Sequence, residues 1–197
     1  SEVNVTLQRG IAASESVFEL IDSESEDVSD TSNDLKENDI SIAFKNVNFR
    51  YPSSDRPVLT NISFSVNPGE TVALVGKSGS GKTTIIDLIP RLYDPDKGYI
   101  TFNDKKIIDL NLNSVRKNVS YVGQDFTMFN DTVFNNIAYG ELKAFSKKDV
   151  IYAAEQANAS QFIEALPDGF DTCIGQNGVL LSGGQRQRID LARAILK

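Results

Sequence analysis

Between residues 71 and 91 the chain reads as a short apolar run, a glycine-rich loop and a helix-forming stretch. No other feature narrows its fold so far. The loop, Gly76-Lys77-Ser78-Gly79-Ser80-Gly81-Lys82-Thr83, satisfies the spacing G-x-x-x-x-G-K-[ST]. Residues 71–75 suit a buried strand, and residues 84–91 suit a helix. Glycines 76, 79 and 81 open backbone angles closed to other residues, so successive N–H groups can converge on a bound anion such as a phosphate. In that geometry Lys82 bridges the β- and γ-phosphates of a nucleotide and the Thr83 hydroxyl joins the shell of Mg²⁺. Lys77, Ser78, Ser80 and Thr84 complete the loop. The plain alternative is a glycine-rich turn with a stray lysine; average residue frequencies produce such a match in about one chain of this length in a hundred. The strand before it and the helix after it make coincidence rarer. Kinases, GTPases, helicases and transporters all carry loops of this kind, so the loop alone names no function.

The rest of the chain must supply the choice. Its 197 residues suit one domain with an appendage. Its apolar stretches break within a few residues, well short of the roughly 20 that a membrane-spanning helix needs. One cysteine, Cys173, cannot form an internal disulfide, which fits a reducing setting. The net charge of −7 is unevenly spread: residues 1–39 hold 11 acids and 2 bases, the remainder 16 acids and 18 bases. That near-neutral remainder lacks the basic stripe of a nucleic-acid binder. In residues 3–21, Val3, Leu7, Ile11, Phe18 and Ile21 recur at spacings near three and four, the stripe of an amphipathic helix that needs a surface to pack on. Residues 22–39 are rich in Ser, Asp, Glu and Asn and read as an acidic flexible linker, with a boundary near Asp39. After it, residues 40–49, 58–66 and 71–75 read as β-structure. Residues 132–138, 146–158, 160–165 and 183–196 read as helices.

A second motif follows the phosphate loop by one hundred residues. Leu181-Ser182-Gly183-Gly184-Gln185 leads into a helix, and Ser182 is placed to cap it. This pentapeptide resembles the signature sequence of the ABC ATPases; residue frequencies produce it by chance on the order of once in several thousand chains. The resemblance runs from about Ile40 to Lys197. Tyr51, in Phe49-Arg50-Tyr51-Pro52, matches the aromatic that stacks on adenine in that family, although a half-buried sheet tyrosine would look the same. Gln124, in Tyr121-Val122-Gly123-Gln124-Asp125, matches the glutamine that reaches Mg²⁺ and links the site to the helical section. Phe129-Asn130-Asp131-Thr132-Val133, Asn136-Ile137-Ala138-Tyr139-Gly140, Leu166-Pro167-Asp168-Gly169-Phe170-Asp171-Thr172 and Ile174-Gly175 are similar to the helical subdomain of ABC exporters. The lead, with Leu7-Gln8-Arg9-Gly10 and Val17-Phe18-Glu19-Leu20-Ile21-Asp22-Ser23, is similar to the cytoplasmic end of the last membrane helix in the bacterial lipid A flippase subfamily.

The resemblance implies an α/β fold: a P-loop NTPase of ABC type with an antiparallel β-subdomain, a parallel-sheet core that is incomplete here, and an α-helical subdomain. It divides the chain into residues 1–22, an amphipathic helix continuing from a membrane helix; 23–39, the linker; and 40–197, the ATPase domain. Within the last, the core and β-subdomain span about 40–124, the helical subdomain about 125–182 and the signature helix 183–197. It implies ATP and Mg²⁺ as ligands, Lys82 and Gln124 as catalytic residues, and Thr83 and Gln124 at the metal. It also implies a head-to-tail homodimer in which Ser182, Gly183, Gly184 and Gln185 complete the partner's site. The membrane domain is expected N-terminal on the same parent chain, at the cytoplasmic face of a bacterial inner membrane. The cargo would be a lipid or other hydrophobic molecule; drug or peptide export, a soluble ABC switch on nucleic acid or ribosomes, and a P-loop kinase are the rival readings.

Two positions depart from the family pattern: Gln176 stands where exporters carry a glutamate, and Asp190 stands where a small apolar residue is common, so that it must face solvent or pair with a neighbour. Through Lys197 there is no Asp-Glu pair and no histidine, the groups that position Mg²⁺, polarise the attacking water and contact the γ-phosphate in the family. A polypeptide of these residues is expected to bind ATP with little or no hydrolysis. Steady-state phosphate release at the rate of an intact transporter domain would contradict this. The strand carrying that pair lies, in relatives, beside the strand that feeds the phosphate loop, so the sheet is expected to show a raw edge or a gap.

Overall fold

The computed structural model describes residues 2–23, 26, 33–35, 39–125 and 127–197. Residues 1–30 and 31–197 form two compact units. Most of the acidic linker expected at 23–39 lies outside the described residues. The first unit contains helix α1 (Glu2–Ile21). Its Leu7, Ile11, Phe18 and Ile21 are all exposed, so the expected apolar stripe stands open. Among the described residues, no helix is long and apolar enough to cross a membrane.

The second unit has two apolar cores. The first lies under a four-stranded antiparallel sheet of β1 (Ile42–Phe49), β2 (Leu59–Val66), β3 (Lys97–Phe102) and β4 (Lys105–Lys106), in the order β2-β1-β3-β4. Alternation along β1 sends Phe44, Val47 and Phe49 inward, and Phe44 pairs with Phe64 on one side and Ile100 on the other. The Phe44 and Phe64 rings stack at 4.6 Å. The sequence reading did not predict β3 and β4. They are joined through Asn103 and Asp104, both at positive φ (46° and 64°), the geometry of a tight two-residue hairpin turn. Helix α2 (Lys82–Leu88) lays Leu88 on this core, and helix α3 (Leu112–Lys117), capped by Asn111 and also unforeseen, adds Val115. Helix α2 starts two residues earlier than expected and ends two residues before Pro90, which cannot continue it as a hydrogen-bonded turn.

The expected strand at residues 71–75 does not form a ladder. Val75 is 90 % exposed and Val72 half exposed. A short apolar run of this kind suits a strand covered by neighbours on both sides, and none of the described strands pairs with it. The segment before β1 also differs from expectation. Leu35 is only 5 % exposed and belongs to the sheet core; its N–H donates to Ser114 Oγ at 2.8 Å, and Asn111 N–H donates to Asn33 O at 3.0 Å. The compact unit therefore takes in residues that composition alone assigns to the linker.

The second core is helical: α4 (Val133–Ile137), α5 (Lys147–Gln156), α6 (Ser160–Glu164) and α7 (Gly183–Leu196). Ile137, Val150, Ile163 and Ile189 meet at its centre, with small residues Ala153, Ala154 and Ala192 letting α5 and α7 approach. Each helix expected in this core is present within two residues of its predicted bounds. Ser146 and Ser182 both close capping boxes, a local device that sets where α5 and α7 begin.

Candidate functional site

The glycine-rich loop connects the unpaired segment to α2. Gly79 and Gly81 sit at φ 77° and 85°, as expected. Gly76 does not. There a Cβ would lie 2.7 Å from Ser80 Oγ, a contact that rotation of the serine relieves. At Gly81 the positive φ is joined by crowding, because a Cβ would also meet Leu59 Cδ2 at 2.7 Å where β2 begins. Gly81 is the N-cap of α2 and no side chain caps it, so the first N–H groups of the helix are not taken by a capping side chain. Lys82 folds back into the loop: its Nζ donates to Lys77 O at 2.8 Å, Gly76 O at 3.0 Å and Ser80 Oγ at 3.4 Å. Ser78 and Thr83 are exposed. The loop thus presents N–H groups, hydroxyls and one ammonium around a single turn, a donor set that fits a polyanion.

Thr84 has a different place from Thr83. It is buried, and its Oγ1 lies 2.9 Å from the hydroxyl of Tyr51. Tyr51 is half buried, edge-on to Phe49 at 4.9 Å and to Tyr93 at 5.1 Å. The structure joins Tyr51 to the start of α2 and adds Tyr93, which sequence reasoning missed. Its signal, an aromatic three residues past Pro90, is local and weak. Gln124 is exposed. Three residues before it, the Tyr121 hydroxyl donates to Asp87 Oδ1 on α2 at 2.8 Å. That bond, with burial and the negative charge of Asp87 behind it, raises the Tyr121 pKa above the ordinary phenol value.

Ser182 is the N-cap of α7, as predicted. Its Oγ accepts from Gln185 N at 3.3 Å, and Gln185 Oε1 accepts from Ser182 N at 2.8 Å. The Gln185 side-chain oxygen is therefore committed to the cap, while Ser182, Gly183 and Gly184 are exposed. Among the described residues, no hydrogen bond or ring contact connects 76–84 to 182–185. The structure assembles the two devices separately.

Asp190 resolves its departure by pairing: its Oδ1 lies 3.2 Å from Arg193 Nη1, and both side chains are mostly shielded. Burial raises the Asp190 pKa more than Arg193 lowers it, and burial lowers that of Arg193 more than Asp190 raises it. Desolvation thus outweighs the mutual attraction, and the pair is better understood as a positioning device than as a source of stability. What it positions is the guanidinium, whose Nε donates to Asn136 O at 2.8 Å and whose Nη2 donates to Thr127 O at 3.4 Å. Asn136 is fully buried. Its Oδ1 accepts from Phe129 N at 2.8 Å, and its Nδ2 donates to Phe129 O at 3.0 Å and Thr132 O at 2.9 Å. The family resemblance includes Asn136 and not its neighbour Asn135, but nothing in the local sequence assigns Asn136 this role.

Comparison with known proteins agrees with this geometry. A family model described as ABC transporter matches residues 59–197. The ATP-dependent lipid A-core flippase of Methylobacillus flagellatus (strain ATCC 51484 / DSM 6875 / VKM B-1610 / KT) is 50 % identical over the whole chain, which covers 34 % of that protein. The protein of the same name from Pseudomonas savastanoi pv. phaseolicola (strain 1448A / Race 6) is 49 % identical over the whole chain, which covers 33 % of it. Among solved structures, a bacterial Atm1-family ABC exporter with ATP bound superposes with a TM-score of 0.84 at 40 % identity, covering 98 % of this chain and 34 % of that one. The chain thus spans about a third of the length of the relatives it matches. With a glycine loop carrying a buttressed lysine, a serine-capped signature helix and a family match across most of its length, the chain belongs to the ABC transporter family and carries that family's nucleotide-binding fold.

Proposed function

We propose that this chain is the ATP-binding module of a bacterial ABC exporter that uses ATP to flip or export a lipid, with lipid A as the leading cargo. The observation that carries the reading is that the Lys82 loop and the exposed cap of α7, both helix starts suited to an anion, are not joined by a hydrogen bond within the chain. Two copies meeting head to tail would place each ATP between the loop of one and Ser182, Gly183, Gly184 and Gln185 of the other. The cargo follows from the relatives named lipid A-core flippases at about half identity. Their greater length supports a membrane domain on the same parent chain, and a position at the cytoplasmic face of the inner membrane follows from that.

The chemistry of this chain's own residues is positional. Lys82 exchanges its bonds to the Gly76 and Lys77 carbonyls for phosphate oxygens, a stronger charge-assisted contact, while the loop N–H groups hold the remaining oxygens. Tyr51, steadied by Thr84, Phe49 and Tyr93, offers a ring at the start of α2 for adenine. The Thr83 hydroxyl and the Gln124 side chain are exposed oxygen donors of the kind Mg²⁺ takes, and they would hold it; bound there, the ion would neutralise phosphate charge.

Ser182→Ala tests the composite site. It should leave ATP affinity of the monomer within about twofold and weaken ATP-driven dimerisation by tenfold or so, at the cost of about 1 kcal/mol of stability from the lost cap. Sedimentation velocity with and without ATP reads the dimer, and calorimetric titration reads the affinity. If Ser182→Ala and Lys82→Ala lose monomer affinity equally, the division of labour is wrong.

A further inference from the structure

The stretches on either side of Gln124 each meet a side chain of a helix that begins at one of the two devices, α2 or α7. On the far side Thr127 O accepts from Arg193 of α7, and Met128 is 2 % exposed in the helical core. On the near side Val119 O accepts from Lys197 Nζ at 2.8 Å, and the Tyr121 hydroxyl donates to Asp87 of α2 at 2.8 Å. Backbone bonds do not hold this stretch in a ladder with any described strand. The Tyr121 ring lies over the backbone one residue before Gln124: a Cβ on Gly123 would sit 3.0 Å from Tyr121 Cε1. Asp87 is also poorly placed for the helix itself. It stands in the last turn of α2, where an acid opposes the helix dipole. A carboxylate kept at such a position needs another reason, and the Tyr121 hydroxyl supplies one through a charge-assisted hydrogen bond.

We propose that Asp87 is a positioning residue: by holding the Tyr121 hydroxyl it seats the ring on Gly123 and sets the backbone from which Gln124 reaches the metal. A shift of α2 when the phosphate loop fills is then carried through Asp87 and Tyr121 to Gln124. This rests on the reading of Gln124 as a Mg²⁺ contact.

The test uses this 197-residue chain and the fluorescent analogue mant-ATP, titrated with EDTA and with Mg²⁺, in Asp87→Ala, Tyr121→Phe, Asp87→Asn and Gln124→Ala. The quantity of interest is the gain in affinity on adding Mg²⁺. Asp87→Ala and Tyr121→Phe should each cut that gain about fivefold, the size of one lost hydrogen bond, without changing the affinity in EDTA. Asp87→Asn keeps an acceptor for the hydroxyl and should keep the gain. If Gln124→Ala loses the gain and Asp87→Ala does not, Asp87 has no positioning role while the reading of Gln124 stands. If Gln124→Ala keeps the gain, that reading falls and the inference falls with it. An equal loss in EDTA and in Mg²⁺ for Asp87→Ala would show a role in the fold alone and overturn the proposal.

Discussion

Lys82→Ala is expected to remove measurable ATP binding, with Kd raised by at least ~100-fold in calorimetric titration. The ammonium is the one cation inside the loop that the structure shows turned toward its centre, and three acceptors from Gly76, Lys77 and Ser80 hold it there. Those acceptors already hold the side chain inside the loop, so less side-chain entropy remains to be lost on binding. Removing the group takes away both the charge and this preorganisation. It should hardly affect the fold, because the Lys82 contacts lie at the surface of the unit and the carbonyls it leaves can turn to water. A Lys82→Ala protein with the wild-type melting temperature and a Kd within threefold of wild type would show that the loop is a structural turn.

The largest effect on stability is expected at Asn136. Its amide supplies what the turn from Phe129 to Thr132 cannot find for itself: an acceptor for the Phe129 N–H and donors to the carbonyls of Phe129 and Thr132. The side chain is completely buried, so water cannot replace it. Asn136→Ala strands the Phe129 N–H and opens a small polar void, costing about 2–4 kcal/mol. For a domain of this size that lowers the melting temperature by on the order of 10 °C. The effect should spread to α7, because the carbonyl of the same residue receives Arg193 Nε. Asn135→Ala is the internal comparison. Asn135 is only half buried and its amide meets Asp131 Oδ1, so its loss should cost under ~1 kcal/mol. Equal melting temperatures for the two variants, read by circular dichroism, would mean that the amide network is not what holds this turn.

The contrast between these two asparagines shows where sequence reading stops. Position 136 is decided by which side of a one-and-a-half-turn helix faces the loop before it, a tertiary fact that two adjacent identical residues cannot encode locally. The features that were legible all act over a few residues. Gly79 and Gly81 require positive φ for steric reasons, and Ser182 with Gln185 three residues on is a helix start by hydrogen bonding alone. The β3–β4 hairpin was missed because its turn pair, Asn103-Asp104, lacks the glycine that usually marks such turns, and because Gly98 interrupts the alternation of β3. Residues 71–75 were read as a strand from apolar content, but a strand of that kind exists only with partners beside it. Asp190 stood out as a departure; Arg193, three residues on along the same helix, was a partner within reach, and the structure shows that the two pair.

Leu35 has a mechanical consequence. It is buried in the sheet core, its N–H is held by Ser114 Oγ, and Asn33 O holds the N–H of Asn111. Asn111 is the cap of α3 and Ser114 lies in its first turn, so residues 33–35 are fastened to the start of that helix at two points. A pull applied along residues 33–35 would therefore be borne by α3 and not by the outer strand of the sheet.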